Sequence, residues 1–180
     1  MVAASLGLAA AGCGSGGESQ GPEEGRPASQ GPSDPVRWAG TFCGGLNEVI
    51  TSAAGVAQLP AEPAARKDAL LAFTDSARQS MDATAGKLER LGAPGVPDGP
   101  QTQQVVLGFF SRASDATAAQ RERLAALDPR AADFDQQLAT VVSSSTVGQL
   151  TGQVTQVTAK PELAPAFRNA PECQQLGAPR

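Results

Sequence analysis

From Asp34 onward, stretches with apolar side chains every three or four residues alternate with short breaks of proline and glycine. The first stretch, SDPVRWAGTFCGGLNEVITSAAGVAQLP, puts Ala39, Phe42, Cys43, Leu46, Val49, Ile50, Ala53 and Ala57 on one helical face. Asp34 is expected as its N-cap and Pro35 as its first helical residue. Gly44 and Gly45 weaken that helix, each by about 1 kcal/mol against alanine. Pro60 and Pro63 mark its stop. A second helix is predicted over 64–91, with Leu70, Phe73, Ala77, Met81, Thr84, Leu88 and Leu91 as its stripe. GAPGVPDGP then breaks the pattern. A third helix, over 101–127, carries Val106, Phe109, Phe110, Ala113, Thr117, Leu124 and Leu127 on one side.

In LDPR, Asp128 offers a cap and Pro129 a first helical position for a fourth helix, with Phe134, Leu138, Val141 and Val142 as its early core. Its continuation, VVSSSTVGQLTGQVTQVTAK, keeps helical spacing at Val147, Leu150, Val154 and Val157. The β-branched and hydroxyl residues there favour strand. Helix is preferred because three amphipathic helices need a fourth partner. The expected fold is therefore all-α, an up-down-up-down four-helix bundle over 35–180. Composition agrees: six Phe, one Trp and no Tyr leave a core of Ala, Leu and Val, which suits closely packed helices.

Ahead of this domain the pattern is different. In LAAAGCGSGG an uncharged run of small and apolar residues leads into Cys13, and GSGG follows it. Ala11, Gly12 and Cys13 resemble the lipobox of bacterial lipoproteins. That resemblance implies a signal peptide over 1–12 and diacylation of Cys13 after cleavage. It also implies attachment to the extracytoplasmic face of the cell membrane. Residues 1–12 hold no Lys or Arg, and a signal peptide usually runs about 15–30 residues from a basic start, so an upstream start codon is expected. Residues 14–34 have no large apolar side chain and cannot offset their ordering entropy by burial. With Cys13 they form the expected tether, 13–34, whose flexible chain spans roughly 25 Å. Two acyl chains meet the requirement for lasting attachment.

The chain has three cysteines. If Cys13 is acylated, Cys43 and Cys173 remain as a pair, which an oxidising compartment would join. In a cytosolic protein the alternative is two buried free thiols. An up-down-up-down order puts the start of helix 1 and the end of helix 4 at one end of the bundle. A Cys43–Cys173 bond would then staple the C-terminal tail beside helix 1. AGC, RWAGTFC and APECQQL together resemble the small uncharacterised lipoproteins and secreted proteins of high-GC actinobacteria. That resemblance implies an exported helical domain with one disulfide, and no activity.

Histidine is absent, which removes Ser-His-Asp and Cys-His nucleophile activation and His-ligated metals. The net charge of −4 is mild and no basic cluster is visible along the chain, so nucleic acid is not an expected partner. Asp68, Asp75, Asp82 and Glu89 recur every seven residues along helix 2. Such carboxylates do not converge on a cation, and a solvated face is expected, with Arg78 pairing locally to Asp75. The Ser/Thr/Gln-rich stretch 140–158 lacks a base to activate a hydroxyl and is expected as an exposed helix rather than a docking face. No catalytic residue, metal ligand or cofactor is expected, and the chain is not expected to be an enzyme. The expected role is a tethered binding or assembly module acting on an envelope protein. The alternative is a carrier holding a small apolar ligand in a bundle cavity near Trp38, Phe42 and Phe167. Trp38 is otherwise expected to cover the end of the core beside the disulfide.

Overall fold

Proline and acidic side chains set where the helices begin. The computed structural model describes residues 31–54, 58–143 and 147–176. The leader 1–12, Cys13 and the tether up to residue 30 lie outside the described residues. Asp34 caps α1 (Pro35–Ala54): its Oδ1 accepts the Arg37 backbone N–H at 2.8 Å, one turn into a helix opened by proline. α2 (Pro63–Leu91) begins at the proline expected to close the preceding stretch. Glu62 caps it, its two carboxylate oxygens accepting the N–H groups of Ala64 and Ala65 at 3.1 and 2.7 Å. These bonds hold the Glu62 carboxyl below its ordinary pKa, Ala65 contributing most. Gly92 ends α2 at φ 76°, where its N–H reaches back to the Leu88 and Glu89 carbonyls.

α3 (Gly99–Ala126) returns antiparallel along α2. Its first residue must be glycine, because a Cβ there would stand 2.0 Å from the Pro94 carbonyl oxygen. At the other end Lys67 of α2 donates to the carbonyls of Ala125 and Leu127, supplying cations' usual service at a helix C-terminus.

The fourth segment departs from expectation at its start. Asp128 does cap, but it caps a turn: its Oδ1 accepts the Arg130 N–H at 2.9 Å, and residues 129–133 turn before α4 (Phe134–Ser143) begins. Asp followed by Pro serves a turn as well as a helix start. The turn delivers Phe134 to a cluster with Leu70, Leu124, Leu127 and Leu138. Val142, expected in the core, is 42% exposed. Residues 147–158, where strand and helix preferences competed, are helical as α5 (Val147–Thr158). Two six-residue helices follow, α6 (Ala164–Asn169) and α7 (Pro171–Leu176). Among the described residues the fold is all-α and has no strand, only an isolated bridge between Ser33 and Pro94.

The main core joins Trp38, Phe42 and Cys43 of α1 to Ala77, Met81 and Leu88 of α2, to Val106, Phe109, Phe110 and Ala113 of α3, and to Val157 and Leu163. Most of the stripes expected on helices 2 and 3 are therefore buried, with Phe73, Leu91 and Thr117 half-buried. Gly45 has a tertiary purpose. A Cβ there would stand 2.3 Å from Thr84 Oγ1 and 2.4 Å from its Cγ2, so this glycine lets α1 close onto α2. Gly45→Ala should cost about 1–3 kcal/mol through overpacking, against the roughly 1 kcal/mol that alanine returns in helix propensity. Urea unfolding of Gly45→Ala would show this, and adding Thr84→Ala, which removes the two nearest atoms, should restore part of the loss.

The chain entering the domain is bound before α1 starts. Ser33 donates its N–H to the Ala93 carbonyl at 2.8 Å and its carbonyl accepts the Gly95 N–H at 2.9 Å. Its hydroxyl also reaches the Gly92 and Ala93 carbonyls. The end of the segment expected as slack tether is thus pinned to the α2–α3 loop.

Candidate functional site

Three features expected to matter meet on α1. Trp38 and Phe42 lie one turn apart, so both project to the same face. Phe42 is followed at once by Cys43, whose sulfur is bonded to Cys173 of α7 at 2.04 Å. The pair expected from cysteine parity is a disulfide. Closing it brings α6 over α1, and Phe167 with it. The Trp38 and Phe42 rings are stacked with centroids 5.9 Å apart, and Phe42 meets Phe167 and Phe110 edge to face, each at 6.0 Å. Such pairs add stabilisation beyond the area they bury.

The three rings expected to line a ligand pocket are brought together, with Phe42 in contact with both of the others. Trp38 is fully buried and Phe42 1% exposed. Trp38 lies within the main cluster. Its indole Nε1–H donates to Gln103 Oε1 at 2.6 Å, and Gln103 Nε2 donates to the Leu88 carbonyl at 2.8 Å. The one polar atom of the indole is thereby satisfied, as a buried Trp requires. Gln103 is not among the residues expected from sequence. The available signal was that a core Trp needs an acceptor, but three of the four residues in QTQQ are glutamines and only the fold shows which one is buried.

Among the described residues, two surface hollows have none of these rings in their lining. One, about 500 Å³, runs along α1 over Gly40, Gly44 and Gly45, between Lys87 of α2 and Pro171 and Glu172 of α7. The Glu172 side chain lies over Gly40, where a Cβ would come within 2.6 Å of its carboxylate oxygen. The rim mixes signs: Asp34, Arg37, Glu48 and Lys87, the last two 3.9 Å apart as a loose ion pair. The other hollow, about 280 Å³, sits between α2 and α3 beside Asp82, Glu89, Asp115, Ser111 and Ser114.

The seven-residue carboxylate series is exposed along α2. Asp75 pairs across to Arg121 of α3, and that guanidinium holds its carboxyl below the ordinary pKa. Arg78 pairs with Asp82, at 3.6 Å, and not with Asp75; the four-residue spacing wins over the three-residue one because Arg121 already occupies Asp75. Asp82 also accepts the Ser114 hydroxyl at 2.7 Å. Among the described residues no group of three or more His, Cys, Asp or Glu is arranged to hold a metal ion. In the hydroxyl-rich stretch, Thr140 and Thr158 turn their Oγ1 back to carbonyls four residues earlier, Gln136 and Val154, and Ser143 reaches the Thr140 carbonyl. Hydroxyls so occupied serve the helix itself.

No protein-family model, curated protein or solved structure matches this chain.

Proposed function

We propose that this protein is a lipoprotein of the bacterial cell envelope, held by Cys13 on the extracytoplasmic face of the membrane, whose helical domain works by binding or assembly and not by catalysis. One observation carries the proposal. The Cys43–Cys173 disulfide takes up two of the three cysteines, and the one left over is the residue that follows AAG at the end of an apolar run. A disulfide suits an oxidising compartment. Among the described residues no helix is long and apolar enough to cross a membrane, so attachment would fall to the lipid.

Within the domain, α1, α2, α3 and the α4–α5 pair are read as the four members of an up-down-up-down bundle, with α6–α7 as the stapled tail. The contacts among Trp38, Phe42 and Phe167 favour a partner met on the outside of the bundle over a ligand carried inside it. An envelope protein is the partner class that fits an anchored module of this kind. Cys13→Ser tests the anchor. Expressed in a lipoprotein-processing host, the unaltered chain should sediment with membranes and extract into detergent. Cys13→Ser should appear in the soluble extracytoplasmic fraction or remain unprocessed. Equal membrane retention of both would refute lipid attachment.

A further inference from the structure

The C-terminal helices are held differently from the rest of the fold. Leu163 is fully buried in the main core and fixes the base of the segment. Beyond it, α6 and α7 pack against α1 and each other. The fully buried part of that contact is Ala166 and Ala170 against Ala39; Phe167, edge to face on Phe42, Cys173 and Leu176 pack on the main core but are only half-buried. The side-chain hydrogen bond from Asn47 of α1 to Gln175 of α7 is long, at 3.4 Å, and exposed. Helices of six residues are too short to hold themselves in water. The bond between Cys43 and Cys173 is therefore the strongest link between this segment and the body of the domain.

We infer that α6–α7 is a strap over α1 that a dithiol reductant releases without unfolding the α1–α3 core. Cys43 is 2% exposed whereas Cys173 is half-buried, so Cys173 is the better placed of the two for an incoming thiolate. A bond forms between the reductant's sulfur and Cys173, the bond to Cys43 breaks, and Cys43 leaves as a thiolate that takes up a proton. The reductant's second thiol then attacks its own mixed disulfide and frees Cys173. Two thiols end as one disulfide, and the cystine gains two electrons and two protons. Release uncovers Ala39, Phe42 and Cys43, an apolar strip buried while the strap is closed and adjoining the Gly40–Gly44 hollow. The device depends on the fold and not on the lipid anchor, so failure of either leaves the other standing.

Arg168 lies exposed within the strap, and Arg78 and Arg112 lie exposed in α2 and α3. Each offers trypsin a bond whose cleavage follows local opening, and release should raise the rate after Arg168 about tenfold or more. With the folded full chain, dithiothreitol should give that increase while cleavage after Arg78 and Arg112 stays slow. Cys43→Ala/Cys173→Ala should show fast cleavage after Arg168 without reductant and no further response to it. An unchanged rate after Arg168 would overturn the strap, as would a rise at all three sites together. A response to dithiothreitol that persists in Cys43→Ala/Cys173→Ala would overturn it too.

Discussion

Breaking the Cys43–Cys173 disulfide, by reduction or as Cys43→Ala/Cys173→Ala, should lower the stability of the domain by as much as about 5 kcal/mol. The bond spans 130 residues, nearly the whole of the described fold. Its main effect is on the unfolded chain, which it denies most of its end-to-end freedom. The native state recovers part of that freedom if the tail detaches, so the measured loss should fall below the chain-entropy limit. A domain of ordinary stability, roughly 5–15 kcal/mol, should then remain folded but melt well below the oxidised form. Urea titration with and without reductant provides the test. Reduction should lower the midpoint and also steepen the dependence on urea, because a chain without the cross-link exposes more surface when it unfolds. An unchanged midpoint would mean that the bond contributes nothing to the fold.

Trp38→Ala should cost about 3–5 kcal/mol, the range for deleting a large aromatic from a packed core. Trp38 is fully buried, stacks on Phe42 and donates to Gln103, so its loss removes a packed ring and leaves the amide oxygen of Gln103 without its donor. Trp38→Phe separates the two effects. It keeps an aromatic ring against Phe42 and should cost about 1–3 kcal/mol, largely for the unpaired buried oxygen. Gln103→Leu in the Trp38→Phe background should then be less damaging than the sum of the two single changes, since the pair would be apolar together. Urea unfolding followed by circular dichroism gives all four values. Additive losses would show that the indole and the amide act independently.

What the sequence made legible was chemistry that acts within a few residues. Asp34 and Pro35 announced the start of α1 because an N-cap and a first-turn proline work locally. The stripes of α2 and α3 were visible because helical spacing alone decides which side chains share a face. The same local logic failed at Asp128 and Pro129, where identical chemistry closes a turn and α4 waits until Phe134. It also failed at Gly45, which looked like a weakness in α1 until Thr84 of α2 was seen filling the space a Cβ would need.

The candidate site divides in the same way. The disulfide was reachable from parity once Cys13 was set aside, and with it the meeting of Phe167 and Phe42. Gln103 was not reachable, because nothing in its neighbours distinguishes a glutamine facing the core from one facing water. Nor was the pinning of Ser33 to the α2–α3 loop, since that contact joins residues 60 positions apart. Serine in a Gly/Pro-rich run reads as loop until its partner carbonyls are in place.

One measurement tests both the attachment of Cys13 to a membrane and the bond between Cys43 and Cys173. The intact mass of the protein extracted from its native membranes, without reductant, should correspond to a chain that begins at Cys13. It should be heavier by its acyl groups and lighter by the two hydrogens lost to the disulfide. An unacylated chain that still carries residues 1–12, with all three thiols free to alkylation, would contradict the anchor, the compartment and the staple together.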